Sequence, residues 1–246
     1  MEKITSLSNN YIKNLAQLKN KKTRDEEKEF LVEGYHLVEE AYNANRLKCV
    51  LITNENDSLE NVKNILVTKE IINKLSSTVT PQSIIGVCSG GYSDKICGER
   101  FLLLDGVNDP GNLGTIIRSA LGFKIDQIIM SSDTCDCYND KVLRSTQGGI
   151  FKVGLVKMDL FDAITILKEK NVKIIGTSLS GQVVDKLPKL QSYAIVLGNE
   201  AHGVKSKIQS LCDINVLIKM EKDLESLNVG VAGSIMMYEL YKNLDK

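Results

Sequence analysis

The sequence predicts an α/β protein whose second part is built on a parallel sheet, preceded by a smaller α/β unit. Two observations carry this prediction. From residue 101 onward, short apolar runs alternate with segments of helical spacing, the pattern of a parallel sheet covered by helices on both faces. Before that lies SGGYSDKICGE, residues 89–99, rich in Gly, Ser and charge and without periodicity, which reads as a linker. A boundary near residue 95 follows, giving predicted domains of 1–94 and 95–246. A chain of 246 residues accommodates one large domain or two ordinary ones.

In chain order, Ile12, Leu15, Ala16 and Leu18 have helical spacing. Runs at 30–32 and 49–53 read as strands, with a helix carrying Leu37, Val38, Ala41 and Tyr42 between them. Short β-like runs at 65–67 and 84–87 flank a helical KEIINKLS. After the linker, strands are predicted at 101–104, 127–130, 172–176, 193–197 and 214–218. Helices are predicted near 112–121, 161–170, 205–211 and 227–244. In such sheets ligands sit beyond the carboxyl ends of the strands, so the loops that follow them are the place to look for chemistry.

Composition narrows the function classes. Thirty-one basic residues balance thirty-one acidic ones, so bulk charge predicts neither nucleic-acid nor membrane binding. The distribution is uneven at the start: Lys3, Lys13, Lys19, Lys21, Lys22 and Arg24 face only Glu2, and Asp25, Glu26 and Glu27 follow at once. A nucleic-acid contact and a solvated helix end both account for this run. The six cysteines form no CxxC pair, and Cys135 and Cys137 are too close and isolated for a zinc site. With His36 and His202 the only histidines, no metal is expected. The polar residues 1–10 are no secretory signal, and no apolar run approaches the roughly 20 residues that span a bilayer. The expectation is a reduced cytoplasmic protein without a membrane partner.

Three segments carry the chemistry. LDGVNDPGNLGTIIRSA (104–120) runs from a strand through a polar loop into a helix bearing Arg118, so backbone N–H groups and a cation converge where an anionic ligand binds. IVLGNEAHGV (195–204) ends a strand at Gly198 and continues through Asn199, Glu200 and Gly203; its glycines permit backbone conformations or close approaches that a side chain blocks. Taken alone, a strand followed by a Gly turn is more often just a turn. The third, 214–240, runs strand, charged loop, helix, with Ser226 or Asn228 placed to cap that helix. A helix containing Gly230, Ala232, Gly233 and Ser234 gives up roughly 1 kcal/mol per Gly relative to Ala, which admits a close neighbour, either another backbone or another subunit. Neither a GxGxxG after a strand nor a GxxxxGK[ST] occurs, so a dinucleotide fold and a P-loop are not supported.

Taken together, these segments resemble the signature motifs of the SpoU, or TrmH, family of RNA 2′-O-ribose methyltransferases in the SPOUT superfamily. The first motif is matched at Asp109, Pro110, Asn112, Gly114 and Arg118. The second is matched at Gly198, Asn199, Glu200 and Gly203, and the third at Ile218, Met220, Ser226, Leu227, Asn228 and Ala232. Asn9, Lys13, Leu18, Arg24, Phe30, Glu33, Gly34 and the ThrProGln at 80–82 resemble the family's ribosomal-protein-like substrate-binding domain. The resemblance implies a trefoil-knotted parallel-sheet methyltransferase domain, a homodimer sharing its active sites, and S-adenosylmethionine as cofactor. It places Thr177, Leu197, Gly198, Asn199, Gly203, Ile218, Met220, Ser226 and Leu227 at the cofactor, and Arg118, Asn112, Glu200, Ser226 and Asn228 in catalysis. The candidate RNA contacts are Lys21, Lys22 and Arg24 of the basic run, together with Arg118, Lys141 and Arg144. The family proposes the matching Arg as base. An arginine stays protonated, so Arg118 is equally a phosphate and alkoxide contact. Glu200 orients Arg118 or serves as a helix N-terminal carboxylate.

The match is imperfect at Lys219, where the family often has Pro, at Ser83, usually Gly, and at Asp140, commonly Pro. A solvated helix face explains Lys141 and Arg144 as well as phosphate contact does, and His202 occupies a variable place. The implied substrate is rRNA, since the family's tRNA enzymes often lack the N-terminal domain. The competing readings are a tRNA 2′-O-methyltransferase, a non-catalytic RNA-binding or ribosome-assembly protein, and a base or small-molecule methyltransferase. The concurrence of Arg118, Glu200, Ser226 and Asn228 argues against mere binding.

Overall fold

The structure, a computed structural model, describes residues 1–221 and 223–244. Its elements in order are β1 (Glu2–Ile4), α1 (Asn10–Gln17), α2 (Lys21–Glu27), β2 (Glu29–Glu33), α3 (Tyr35–Asn43), β3 (Leu47–Ile52), β4 (Lys63–Val67), α4 (Lys69–Leu75) and β5 (Ile84–Ser89). Then come β6 (Arg100–Asp105), α5 (Pro110–Gly122), β7 (Gln127–Met130), α6 (Asp140–Thr146), β8 (Gly154–Lys157), α7 (Leu160–Glu169), β9 (Lys173–Val183), β10 (Tyr193–Gly198), α8 (Ser206–Gln209), β11 (Ile214–Leu217) and α9 (Val229–Tyr241). No helix among the described residues is long and apolar enough to cross a membrane.

The chain forms two compact units, Met1–Gly91 with Asp136–Lys152, and Tyr92–Cys135 with Val153–Lys246. The segment Asp136–Lys152 follows the linker in sequence yet packs with the first unit. A linker read from composition marks where the chain first leaves a unit and carries no sign that it returns.

The first unit has a five-stranded sheet in the order β1-β4-β3-β5-β2, with β5 antiparallel to both neighbours. Its core joins Ile12 and Leu15 of α1 and Ile71 of α4 to Leu51, Ile65 and Ile85 of the sheet. The returning segment is fixed at several points. Tyr138 stacks on Phe30 with ring centroids 4.5 Å apart and donates its hydroxyl to the Gly91 carbonyl at 2.5 Å. Arg24 is buried: its guanidinium donates to Asp136 Oδ2 at 2.6 and 3.1 Å and to the carbonyls of Leu18 and Lys19 at 2.7 and 2.8 Å. Arg24 is therefore a structural cation turned inward, and the structure gives it no face for RNA. The two side chains retain only 8% and 7% of their exposure, so the charges have lost most of their water. Removing one partner of such a pair costs about 3–5 kcal/mol, whereas replacing both with apolar residues is often neutral. Arg24→Met is expected to lower unfolding stability by that amount in urea titrations, and Arg24→Met with Asp136→Leu to recover most of it.

The second unit is a six-stranded, all-parallel sheet in the order β11-β9-β10-β6-β7-β8. The central strands β6 and β10 are almost wholly buried, which is why they read as continuous apolar runs. On one face Phe101, Leu103, Ala194 and Val196 pack against Ala163, Ile164 and Leu167 of α7. On the other, a Cβ on Gly233 of α9 would stand 2.6 Å from Leu197 Cδ1, so the small residues of α9 let that helix lie directly on β10.

The structure adds β1, α2, β8 and α6 as distinct elements and carries β9 on to Val183. That extension, TSLSGQV, is polar and mostly exposed, so no alternation marks it as strand. It is held by pairing of Gln182 and Val183 with Val216 and Leu217. The last helix starts at Val229 rather than 227 because Asn228 caps it, its side chain accepting from the N–H groups of Gly230 and Val231 at 2.9 and 3.2 Å. Ser226 stands exposed in the preceding loop.

Candidate active site

Three loops at the carboxyl ends of β6, β10 and β11 meet in the second unit, joined by side-chain amides and one carboxylate. Asp109 caps α5 by accepting from Asn112 N at 2.9 Å, and Pro110 supplies the preset first turn. Glu200, in the loop after β10, accepts from Asn108 N and Asp109 N at 3.1 Å each and from Asn112 Nδ2 at 2.9 Å. Asn112 Oδ1 in turn accepts from Asn228 Nδ2 at 2.8 Å. A continuous chain, Glu200 to Asn112 to Asn228, thus links all three motifs.

Partial burial pushes the Glu200 carboxyl up, but the Asn112 amide and the N–H groups of Asn108 and Asp109 outweigh it and hold the pKa below the ordinary carboxylate range. A lowered carboxyl pKa means that the clamp is fully ionised at neutral pH. It is lost only as the pH falls through that lowered value. No hydrogen bond joins Glu200 to Arg118; of its two sequence readings, the geometry matches the carboxylate at a helix N-terminus.

The loop after β10 is tightly wound. Asn199 and Gly203 exchange backbone hydrogen bonds at 3.0 and 2.8 Å, Gly203 lies at φ +68°, and Asn199 Nδ2 donates to the Gly106 carbonyl at 2.8 Å. Lys205 closes it from behind: its N–H and its ammonium both bind the buried Asp105, at 2.8 and 2.9 Å, and the ammonium reaches Asp133 at 2.7 Å. Asp133 also takes the Ser131 hydroxyl at 2.6 Å, whose oxygen accepts from Gly106 N at 3.0 Å. Sequence reasoning missed this buttress. Its one visible signal was Asp105, a charge ending an otherwise apolar strand.

These loops enclose a cleft of ≈ 990 Å³, at the upper end of the range for small-molecule sites. Thr177, Leu197, Gly198, Asn199, Gly203, Ile218, Met220, Ser226 and Leu227 all line it, as do Glu200 and Asn228. Thr177 is fixed by donating its hydroxyl to the Val196 carbonyl at 2.8 Å. Val216, Ala232, Met236, Leu179 and His202 also line the cleft. Ala232 belongs to the third motif, whereas Val216 and Met236 were not singled out, because an apolar position on a strand or helix looks the same whether it faces packing or a ligand. The lining mixes apolar side chains such as Leu197, Ile218, Met220 and Leu227 with polar groups and backbone, a set suited to an adenosine-bearing molecule.

Arg118 and Asn112 are outside the cleft lining. Asn112 is tied to the site through Glu200. Arg118 is exposed on α5 and makes no hydrogen bond or ion pair among the described residues. The remaining RNA candidates lie in the first unit. Lys21 pairs with Asp25, Lys22 with Glu26 at 3.8 Å and Arg144 with Asp140 at 2.9 Å, each one turn along its own helix, and Lys141 lies on α6 beside Arg144.

Comparison with known proteins places this geometry among relatives. The profile of the SpoU rRNA Methylase family matches residues 99–238, and that of the MRM3-like substrate binding domain matches residues 9–86. The chain is 35% identical to the 23S rRNA (guanosine(2553)-2′-O)-methyltransferase RlmP of Bacillus subtilis (strain 168), over 98% of this chain and 99% of that one. Among solved structures it superposes on the AdoMet-bound rRNA methyltransferase from Sinorhizobium meliloti with a TM-score of 0.90 and 27% identity, covering 100% of this chain and 99% of that one. A putative RNA methyltransferase of the TrmH family from Porphyromonas gingivalis gives a TM-score of 0.89 at 26% identity, over 97% of this chain and 100% of that one.

Proposed function

The chain belongs to the SpoU rRNA methylase family, and from that membership we propose that it transfers a methyl group from S-adenosylmethionine to a ribose 2′-hydroxyl of 23S rRNA in the cytoplasm. The observation that carries the reading is the junction of three motif loops by Glu200, Asn112 and Asn228 at the rim of one cleft. The near full-length likeness to an rRNA 2′-O-methyltransferase supports rRNA over tRNA. Residues 1–94 serve as the substrate-binding part and 95–246 as the methyltransferase part, knotted as in the superfamily. The returning segment Asp136–Lys152 joins the substrate-binding part.

Leu197, Ile218, Met220 and Leu227 hold the adenine, with backbone groups of the loops beside Gly198 and Gly203; Thr177, Asn199 and Ser226 supply orientation. When bound, S-adenosylmethionine supplies an electrophilic sulfonium methyl. The protein must align the ribose hydroxyl with it, and alignment supplies much of the rate. Glu200, Asn112 and Asn228 hold the loops in register. Arg118 remains protonated, grips the phosphate beside the target ribose and stabilises the negative charge that builds on the ribose oxygen as the hydroxyl's proton passes to solvent water. Because Arg118 lies outside the cleft of its own chain, it serves the cleft of a second copy, in a homodimer built on α5 and α9. The exposed Leu121, Val231 and Tyr238 of those helices support this assembly.

The test is transfer of labelled methyl from S-adenosylmethionine to total rRNA and, separately, total tRNA from cells lacking the protein. Label confined to rRNA is expected. Label confined to tRNA overturns the substrate assignment, and cofactor binding with no label in either RNA moves the reading to a non-catalytic binding protein.

A further inference from the structure

In the first unit, the most exposed large apolar side chain belongs to a loop that is rigidly built. Val79 has 102% relative exposure at the tip of residues 77–81. The foot of the loop is fastened to one carboxylate: Glu33 accepts the hydroxyls of Ser76 and Thr78 at 2.8 and 2.6 Å and the N–H of Gln82 at 3.3 Å. The Gln82 side chain accepts from Tyr35 N at 3.2 Å. Gly34, at φ +96°, leaves the space that side chain needs, since a Cβ there would stand 2.9 Å from Gln82 Oε1. Tyr35 itself keeps 48% of its surface in solvent, its hydroxyl tied to Asp57 at 3.2 Å.

Two cations stand at the base of the loop. Lys19 donates its ammonium to the carbonyls of Lys74 and Ser76 at 2.9 and 2.7 Å, and Lys74 donates to the Leu7 carbonyl at 2.7 Å. Neither ammonium forms an ion pair among the described residues, the nearby Glu33 being taken up by Ser76, Thr78 and Gln82, and each keeps a donor to spare. An uncharged tip of Ser, Thr, Val and Pro beside an exposed aromatic ring, with two ammonium groups free of ion pairs at its foot, has the chemistry that takes unpaired nucleotides. Bases rest on apolar and aromatic faces, hydroxyls meet base edges and 2′-OH groups, and ammonium groups meet phosphates.

We propose that the loop 77–81, with Tyr35, Lys19 and Lys74, is the surface by which the first unit grips a single-stranded stretch of the RNA substrate. The proposal rests on the RNA methyltransferase reading and specifies where that RNA is held. It also gives a reason for the ThrProGln at 80–82: Gln82 locks the loop to the start of α3.

The experiment uses the full chain and in vitro transcribed 23S rRNA. Val79→Asp and Tyr35→Ala, both at exposed positions, are compared with the wild type in equilibrium RNA binding without cofactor and then in methyl transfer. Each is expected to weaken RNA binding and raise the KM for RNA about tenfold, with kcat at saturating RNA and cofactor affinity retained. A photo-crosslinking residue at position 79 is expected to label rRNA. Unchanged RNA affinity in both variants overturns the surface, as does the absence of a crosslink from position 79 in complexes that hold the RNA. Because binding is measured apart from turnover, a wild type that binds rRNA but transfers no methyl overturns the enzymatic reading alone.

Discussion

Gly198→Ala is expected to weaken S-adenosylmethionine binding on the order of a hundredfold, as an overpacked site whose walls are backbone. A Cβ at this position would stand 2.1 Å from both Gly203 C and Val204 N and 2.4 Å from Gly203 O. None of these atoms belongs to a side chain that can rotate away. Relief requires the Asn199–Gly203 hairpin to open. That breaks its two backbone hydrogen bonds and pulls Glu200, three residues before Gly203, off Asn108, Asp109 and Asn112. Gly203→Ala is the control, since space at Gly203 is open and only its φ of +68° opposes a side chain, a cost of roughly 1–2 kcal/mol. Calorimetric titration of the cofactor, with circular dichroism to confirm folding, separates the two. Equal affinity in Gly198→Ala and wild type contradicts the assigned geometry of the cofactor loop.

Arg118→Ala is expected to lower methyl transfer about 10²–10³-fold, the usual loss when a group aimed at developing negative charge is removed. Cofactor affinity is retained, because Arg118 is assigned to the RNA phosphate and the ribose oxygen and not to the cofactor. Arg118→Lys is expected to recover only part of the rate, as a point charge lacks the planar fork that grips phosphate. The same variant tests the shared active site. Mixing Arg118→Ala chains with Gly198→Ala chains restores part of the activity if Arg118 serves the partner's cleft, since one site of the mixed dimer then has both residues intact. No restoration with mixed dimers demonstrably present contradicts the shared site, and unchanged turnover in Arg118→Ala alone contradicts its catalytic role.

Much of the second unit was legible because parallel strands buried on both faces leave an unbroken apolar signature. The run at 127–130 coincides with β7, and 193–197 falls one residue short of β10, whose last residue is the glycine that turns the chain. The cleft was legible for a related reason. Glycines and amides directly after such strands have little to do in a sheet and much to do at its carboxyl edge, and the residues expected at the cofactor line one cleft. What stayed hidden depended on tertiary partners. Arg24 read as a surface cation because nothing local shows that Asp136, more than a hundred residues on, neutralises it. The 177–183 part of β9 lacks apolar alternation and owes its extension to β11. Lys205 looked like any surface lysine until Asp105 and Asp133 were found on either side of its ammonium. Val79 gave no sign at all, since exposure is not written in a single residue.

The most direct test of the central claim is ribose mapping of 23S rRNA by alkaline hydrolysis, in cells lacking the protein and in the same cells with it restored as wild type or as Arg118→Ala. One nucleotide is expected to be alkali-resistant with the wild type and alkali-sensitive both in its absence and with the variant. An identical 23S rRNA pattern in all three would contradict assignment of the chain as its 2′-O-methyltransferase.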